Sequence, residues 1–151
     1  MNLYKDILKK ALEIIHSEGS AKDKMQTVCD LLEDQIEYYD WVGFYLSDVE
    51  SRMLRLGPYT GEETDHTTIP YGKGICGQAA ESEKTFLIDD VDKESNYIVC
   101  SIHVKSEIVV PIFRDGIVIG QIDIDSDEVA AFKKDDQELL EYICSEIAPF
   151  I

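Results

Sequence analysis

Positive charge is what this chain has least of. Its 151 residues hold 14 Lys and Arg against 31 Asp and Glu, a formal net charge of −17. No basic cluster stands out against that field, so duplex nucleic acid and anionic membranes are repelled and neither is expected as a partner. Long apolar runs are missing as well. The N-terminus, Met1-Asn2-Leu3-Tyr4-Lys5-Asp6, carries charges every few residues instead of an apolar core, and no later run approaches bilayer length. The expectation is a soluble, unexported, cytoplasmic protein. Ligand spacing for a metal is absent too. His16, His66 and His103 lie far apart, and the four cysteines do not form the paired clusters of a zinc site, so no metal is expected. Gly72-Lys73-Gly74 lacks the Gly-Lys-Ser/Thr of a phosphate-binding loop and suits a turn.

What is present reads as one domain over residues 1–151, long enough to bury a core without disulfide staples. Leu3, Ile7, Ala11 and Ile14, with Leu8, Leu12 and Ile15, recur at helical spacing, which predicts a helix near 2–17. Ser20 offers a capping oxygen to a second helix, with Met25, Val28, Cys29, Leu32 and Ile36 on its apolar face. From Trp41 the period changes to two. Residues 41–46 and 53–56 read as strands joined by a polar turn. The stretch 59–66 reads as irregular, 75–81 as a short helix and 86–88 as a brief strand. A loop with one helical turn spans 89–103, and its length suggests a functional role. Strands at 107–113 and 117–124 flank Asp115-Gly116, a tight hairpin turn, and a last helix opens at Asp135 and ends at Pro149. Terminal helices around an antiparallel sheet give an α+β fold, helices on one sheet face and loops on the other.

The residues that carry chemistry are two thiols and a group of acids. Cys76 lies in Gly72-Lys73-Gly74-Ile75-Cys76-Gly77, and Cys100 follows Tyr97-Ile98-Val99. Inside a reducing cell, a cysteine pair that oxidises is catalytic or redox-sensing more often than structural. Glu107 opens one strong strand, and Asp123 and Asp125 share a parity on the other, so both face one side of the sheet. Each feature also has a plainer reading. Cys29 and Cys144 sit at apolar helical positions as core fillers, and Cys76 could be packing in its helix. Trp41 and Tyr45 could be core instead of pocket wall, and the two aspartates could end a strand in solvent.

Taken together, Trp41-Val42-Gly43-Phe44-Tyr45, Ile69-Pro70-Tyr71-Gly72-Lys73-Gly74-Ile75-Cys76-Gly77, Ile98-Val99-Cys100, Ser106-Glu107-Ile108-Val109-Val110-Pro111 and Asp123-Ile124-Asp125-Ser126 resemble a GAF domain. The 24-residue spacing of Cys76 and Cys100 and the paired acids are closer still to the stand-alone GAF-fold enzymes called free methionine-(R)-sulfoxide reductases. The resemblance implies one GAF domain with its terminal helices on one sheet face and a ligand pocket on the other. It implies that Cys100 attacks the sulfoxide of free methionine sulfoxide and that Cys76 closes a disulfide onto it. Many members carry a further resolving cysteine ten positions before the Gly-Ile-Cys-Gly thiol, where this chain has His66.

A thiolate attacking a sulfoxide sulfur needs a proton for the departing oxygen, and crowded carboxyls that cannot all ionise can supply it. Glu107 and Asp125 are the expected proton carriers beside Cys100 and Cys76. Glu107, Asp123 and Asp125 are also expected to hold the substrate ammonium, between aromatic walls from Trp41 and Tyr45. No bound cofactor is expected; an external dithiol such as thioredoxin would reduce the disulfide. The resemblance also points to a homodimer. The competing readings are a small-molecule-binding GAF sensor and a thiol redox switch.

Overall fold

A computed structural model describes residues 2–97 and 103–151. Helix α1, Leu3–His16, begins where the Asn2 side chain accepts the Tyr4 N–H (2.9 Å), and helix α2, Ala21–Gln35, where Ser20 Oγ accepts the Asp23 N–H (3.1 Å). Strand β1 is Trp41–Asp48, β2 is Met53–Thr60 and β3 is Thr68–Pro70. Helix α3, Gly74–Ser82, and strand β4, Phe86–Ile88, precede a 3-10 turn at Val91–Lys93. Strands β5, Ser106–Arg114, and β6, Ile117–Ser126, form the long hairpin, and α4 is Lys134–Ile147. Asp115 and Gly116 take the left-handed φ values, 52° and 79°, that a two-residue hairpin turn requires.

The six strands make one antiparallel sheet in the order β3-β2-β1-β6-β5-β4. The protein is α+β. Alternation along the central strands divides the sheet cleanly. Val42 and Phe44 of β1, Ile122 and Ile124 of β6, and Ile108, Val110 and Ile112 of β5 join the larger core, which α1, α2 and α4 cover. On the opposite face Trp41, Tyr45 and Val109 join a smaller cluster under α3, with Ile75, Cys76, Ala79 and Ala80. Cys29 and Cys144 are buried in the larger core, as their helical positions foretold.

Two differences from the sequence reading have local causes. Strand β2 runs on to Thr60 although the sequence reading ends it at 56, because Gly57 and Pro58 together face the single residue Phe44 of β1 as a bulge, after which the pairing resumes. Residues 68–70 form an edge strand against 53–55 instead of a simple lead into the glycine turn.

One buried polar knot ties the helical layer together. Asp136, fully buried, accepts the Lys133 N–H (2.8 Å) at the start of α4 and the hydroxyls of Tyr38 and Tyr39, both at 2.7 Å. Tyr38 in turn hydrogen-bonds to Tyr4 of α1. Asp136→Ala would strand the buried Tyr39 hydroxyl away from water, at about 1–3 kcal/mol, and take an acceptor from the half-buried Tyr38 and from the Lys133 N–H. Urea denaturation should show a loss of about 2–4 kcal/mol, while Asp135→Ala, next to it, should cost far less.

Candidate active site

The pairing of β1, β6 and β5 lays the site out in rungs. Trp41, Asp125 and Glu107 stand opposite one another across the three strands; Gly43, Asp123 and Val109 form the next rung. Cross-strand partners share a face, so both aspartates and Glu107 emerge beside the indole. Helix α3 then lowers Cys76 onto the carboxylates, and its Sγ lies 3.8 Å from Glu107 Oε2. Cys76, Glu107, Asp123 and Asp125 are all buried, at 6%, 4%, 2% and 4% exposure. Asp123 Oδ1 has no hydrogen-bond partner among the described residues.

Gly43 makes room for the indole. A Cβ built there would sit 2.3 Å from Trp41 Cη2 and 2.9 Å from Tyr59 Cβ. With that space free, Trp41 stacks on Tyr59, centroids 5.4 Å apart, and its Nε1 donates to the Glu62 carbonyl (2.9 Å). Tyr45 donates its hydroxyl to the His66 carbonyl (2.9 Å). The segment around 62–66 is thereby strapped over the aromatic pair. Trp41 and Tyr45 are both core and wall: buried at 8% and 1%, they also line a cavity of about 90 Å3 with Asp123 and Asp125. A smaller chamber of about 10 Å3 shares Tyr45 and Asp123 with it and is also bordered by Cys76 and Glu107.

Several residues at this site escaped the sequence reading. Asp40, Glu62, Glu63 and Asp127 rim the larger cavity, together with His103. For Glu62 and Glu63 the acidic run Glu62-Glu63-Thr64-Asp65 was the trace in the sequence. Asn96, within the stretch 89–103 that reads as a loop, is a clamp. Its side chain accepts the Gly74 N–H (3.0 Å) and donates to the Gly72 carbonyl (2.8 Å), fixing the loop to the start of α3. Cys100, the expected nucleophile, lies outside the described residues.

The electrostatics follow from crowding. Burial pushes the Cys76 thiol well above its ordinary pKa, and the charges of Asp123, Glu107 and Asp125 add to that. Burial likewise raises Asp125 well above the usual carboxylate range, reinforced by Asp123. Asp123 is raised by burial, against hydrogen bonds with Glu107 and Cys76 that pull it down. The resting site therefore holds a neutral thiol beside carboxyls that retain protons unusually well.

A GAF domain family model matches residues 19–151. The free methionine-R-sulfoxide reductase of Saccharomyces cerevisiae is 35% identical over 152 residues, covering 93% of this chain and 83% of the relative. The chain belongs to the GAF-fold free methionine-R-sulfoxide reductase family. Among solved structures, the free methionine-R-sulfoxide reductase of Neisseria meningitidis in complex with its substrate superposes with a TM-score of 0.91 at 34% identity, covering 97% of this chain and 86% of that one. The type II enzyme of Thermoplasma acidophilum gives 0.83 at 40% identity, over 86% and 91% of the two chains. The GAF architecture expected from the sequence is thus the one observed.

Two measurements probe this site. The chain has a single tryptophan, so its emission reports Trp41 alone; Gly43→Ala should evict the indole, shifting emission to the red and increasing quenching by acrylamide. A carboxyl whose pKa is higher folded than unfolded adds stability below its unfolded pKa and loses it as pH rises through the folded value. Asp125→Asn should therefore melt higher than wild type near neutral pH, by roughly 2–4 °C per kcal/mol relieved. That advantage should vanish below about pH 4.

Proposed function

We propose that the protein reduces free L-methionine-(R)-sulfoxide to L-methionine, using Cys100 as nucleophile and Cys76 as resolving thiol. The observation that carries this reading is a thiol held against three buried carboxyl groups, two of which, Asp123 and Asp125, line an aromatic-walled cavity. Membership of the family supplies the substrate class.

The assignment of roles has a physical basis. A thiolate is the attacking species, and burial among acids makes Cys76 a thiol, so Cys76 is poorly suited to the first attack. The family resemblance gives the first attack to Cys100, and a neutral thiol at Cys76 supports the resolving role for it. The Cys100 thiolate attacks the sulfoxide sulfur, forming a sulfur–sulfur bond while Asp125 or Glu107 gives a proton to the oxygen; the hydroxyl then passes to the cysteine sulfur as the sulfur–sulfur bond breaks. The products are methionine and a sulfenic acid. Loss of that proton leaves a carboxylate. Glu107, 3.8 Å from Cys76 Sγ, when ionised can take the thiol proton as sulfur attacks the sulfenic acid and pass it to the departing hydroxyl, which leaves as water. The resulting Cys76–Cys100 disulfide returns to two thiols when an external dithiol such as thioredoxin is oxidised. No tightly bound cofactor enters this scheme.

Trp41 offers its face to the methyl sulfoxide, Tyr45 forms the opposing wall, and an ionised Asp123 attracts the α-ammonium. Residues 1–151 act here as one GAF domain in the cytoplasm, paired as a homodimer. The exposed Leu3 and Tyr142 lie on α1 and α4, at the helical layer remote from the cavity, where a second copy can dock without blocking it.

The test is an incubation with each methionine sulfoxide epimer and a thioredoxin system, followed by chromatography. Methionine should appear from the R epimer only. Cys100→Ser should abolish turnover, and Cys76→Ser should yield about one methionine per chain before stalling. Undiminished multiple turnover by Cys100→Ser would overturn the mechanism, and cyclic nucleotide binding without any methionine product would favour a sensor.

A further inference from the structure

The expectation that the chain holds no metal rested on ligand spacing along the sequence. The fold creates a ligand set that such spacing cannot reveal. Cys76 comes from α3, Glu107 from β5 and Asp123 from β6. The Cys76 sulfur and one carboxylate oxygen from each acid lie within 4.8 Å of one another. All three residues are more than nine-tenths buried.

Two further observations point to an occupant. The three residues border the chamber of about 10 Å3, room for a single water-sized or ion-sized body. Asp123 Oδ1 is buried with no hydrogen-bond partner among the described residues, an acceptor that protein groups leave unused. No Lys or Arg ion pair reaches Asp123 among the described residues. A cation would supply the missing positive charge.

We propose that Cys76, Glu107 and Asp123 of the reduced protein form a site for a borderline-soft divalent cation, Zn2+ or Co2+. In a tetrahedral zinc site the bonds are about 2.3 Å to sulfur and 2.0–2.2 Å to oxygen, so ligand atoms stand roughly 3.5 Å apart. The 3.8 Å separation of Cys76 Sγ and Glu107 Oε2 is already close to that value. Binding forms a metal–sulfur bond as the S–H bond breaks, and the proton leaves to buffer. Mg2+ and Ca2+ are disfavoured because they take six or more oxygen ligands and gain little from sulfur. Occupancy ties up the Cys76 sulfur, so the loaded protein would be blocked in disulfide formation; that consequence alone rests on the reductase reading.

The experiment uses reduced, metal-free full-length protein titrated anaerobically with Co2+ and no substrate. One equivalent should bind, giving a thiolate-to-cobalt band in the near ultraviolet, and Zn2+ should bleach it. Cys76→Ser should abolish the band. Asp123→Asn should keep the band but require roughly tenfold more Co2+ or beyond. Circular dichroism establishes that both variants are folded. A band that persists unchanged in Cys76→Ser, a titration indifferent to Asp123→Asn, or no saturable binding at millimolar Co2+ would overturn the proposal. Because no turnover is measured, failure here leaves sulfoxide reduction untouched, and an inactive enzyme leaves the metal site untouched.

Discussion

Carboxyl groups taken out of water and crowded together are the constraint on which the rest of this structure turns. Asp123 and Asp125 project from one strand, Glu107 from its neighbour, and α3 closes over them. Each such group would be more stable in solvent. The fold keeps them buried because the opposite face of the same strands belongs to a large apolar core with three helices against it. Moving β6 by one residue would exchange those faces, exposing Ile122 and Ile124 while driving the acids into hydrocarbon. The stability of the larger core thus fixes the unfavourable geometry of the smaller one.

That division explains what the site can do. An acid forced to hold its proton is a donor, and a thiol forced to stay neutral is inert until a neighbour accepts its proton. Cys76 and Asp125 are both placed in this condition by the same burial. The order of events in the proposed reaction follows from it. Donation must come first, because it creates the base that the second thiol needs.

Much of this was legible in the chain. The alternation through Ile122, Asp123, Ile124 and Asp125 placed both aspartates on one face, and the apolar stripes of α1, α2 and α4 defined the core. Asp115-Gly116 announced the hairpin. What was hidden depended on contact between distant segments. Asp40, Glu62, Glu63 and Asp127 look like ordinary solvated charges until the fold gathers them around one opening. Asn96 carries no local signal for a clamp, because its partners, Gly72 and Gly74, belong to a turn more than twenty residues earlier. Strand β2 reads as ending at 56, yet its pairing with β1 resumes beyond a bulge at Gly57-Pro58 and carries it to Thr60. Local propensity loses to tertiary pairing at that point.

The acidic rim has a consequence for how molecules approach. Four carboxylates around a narrow opening produce a field that falls off over about 8–10 Å in physiological salt. A zwitterion drifting into that range experiences a torque before it touches anything, its amine drawn inward and its carboxylate turned toward bulk water. Small anionic compounds meet a barrier at the same threshold, so the entrance sorts visitors by the sign of the end they present.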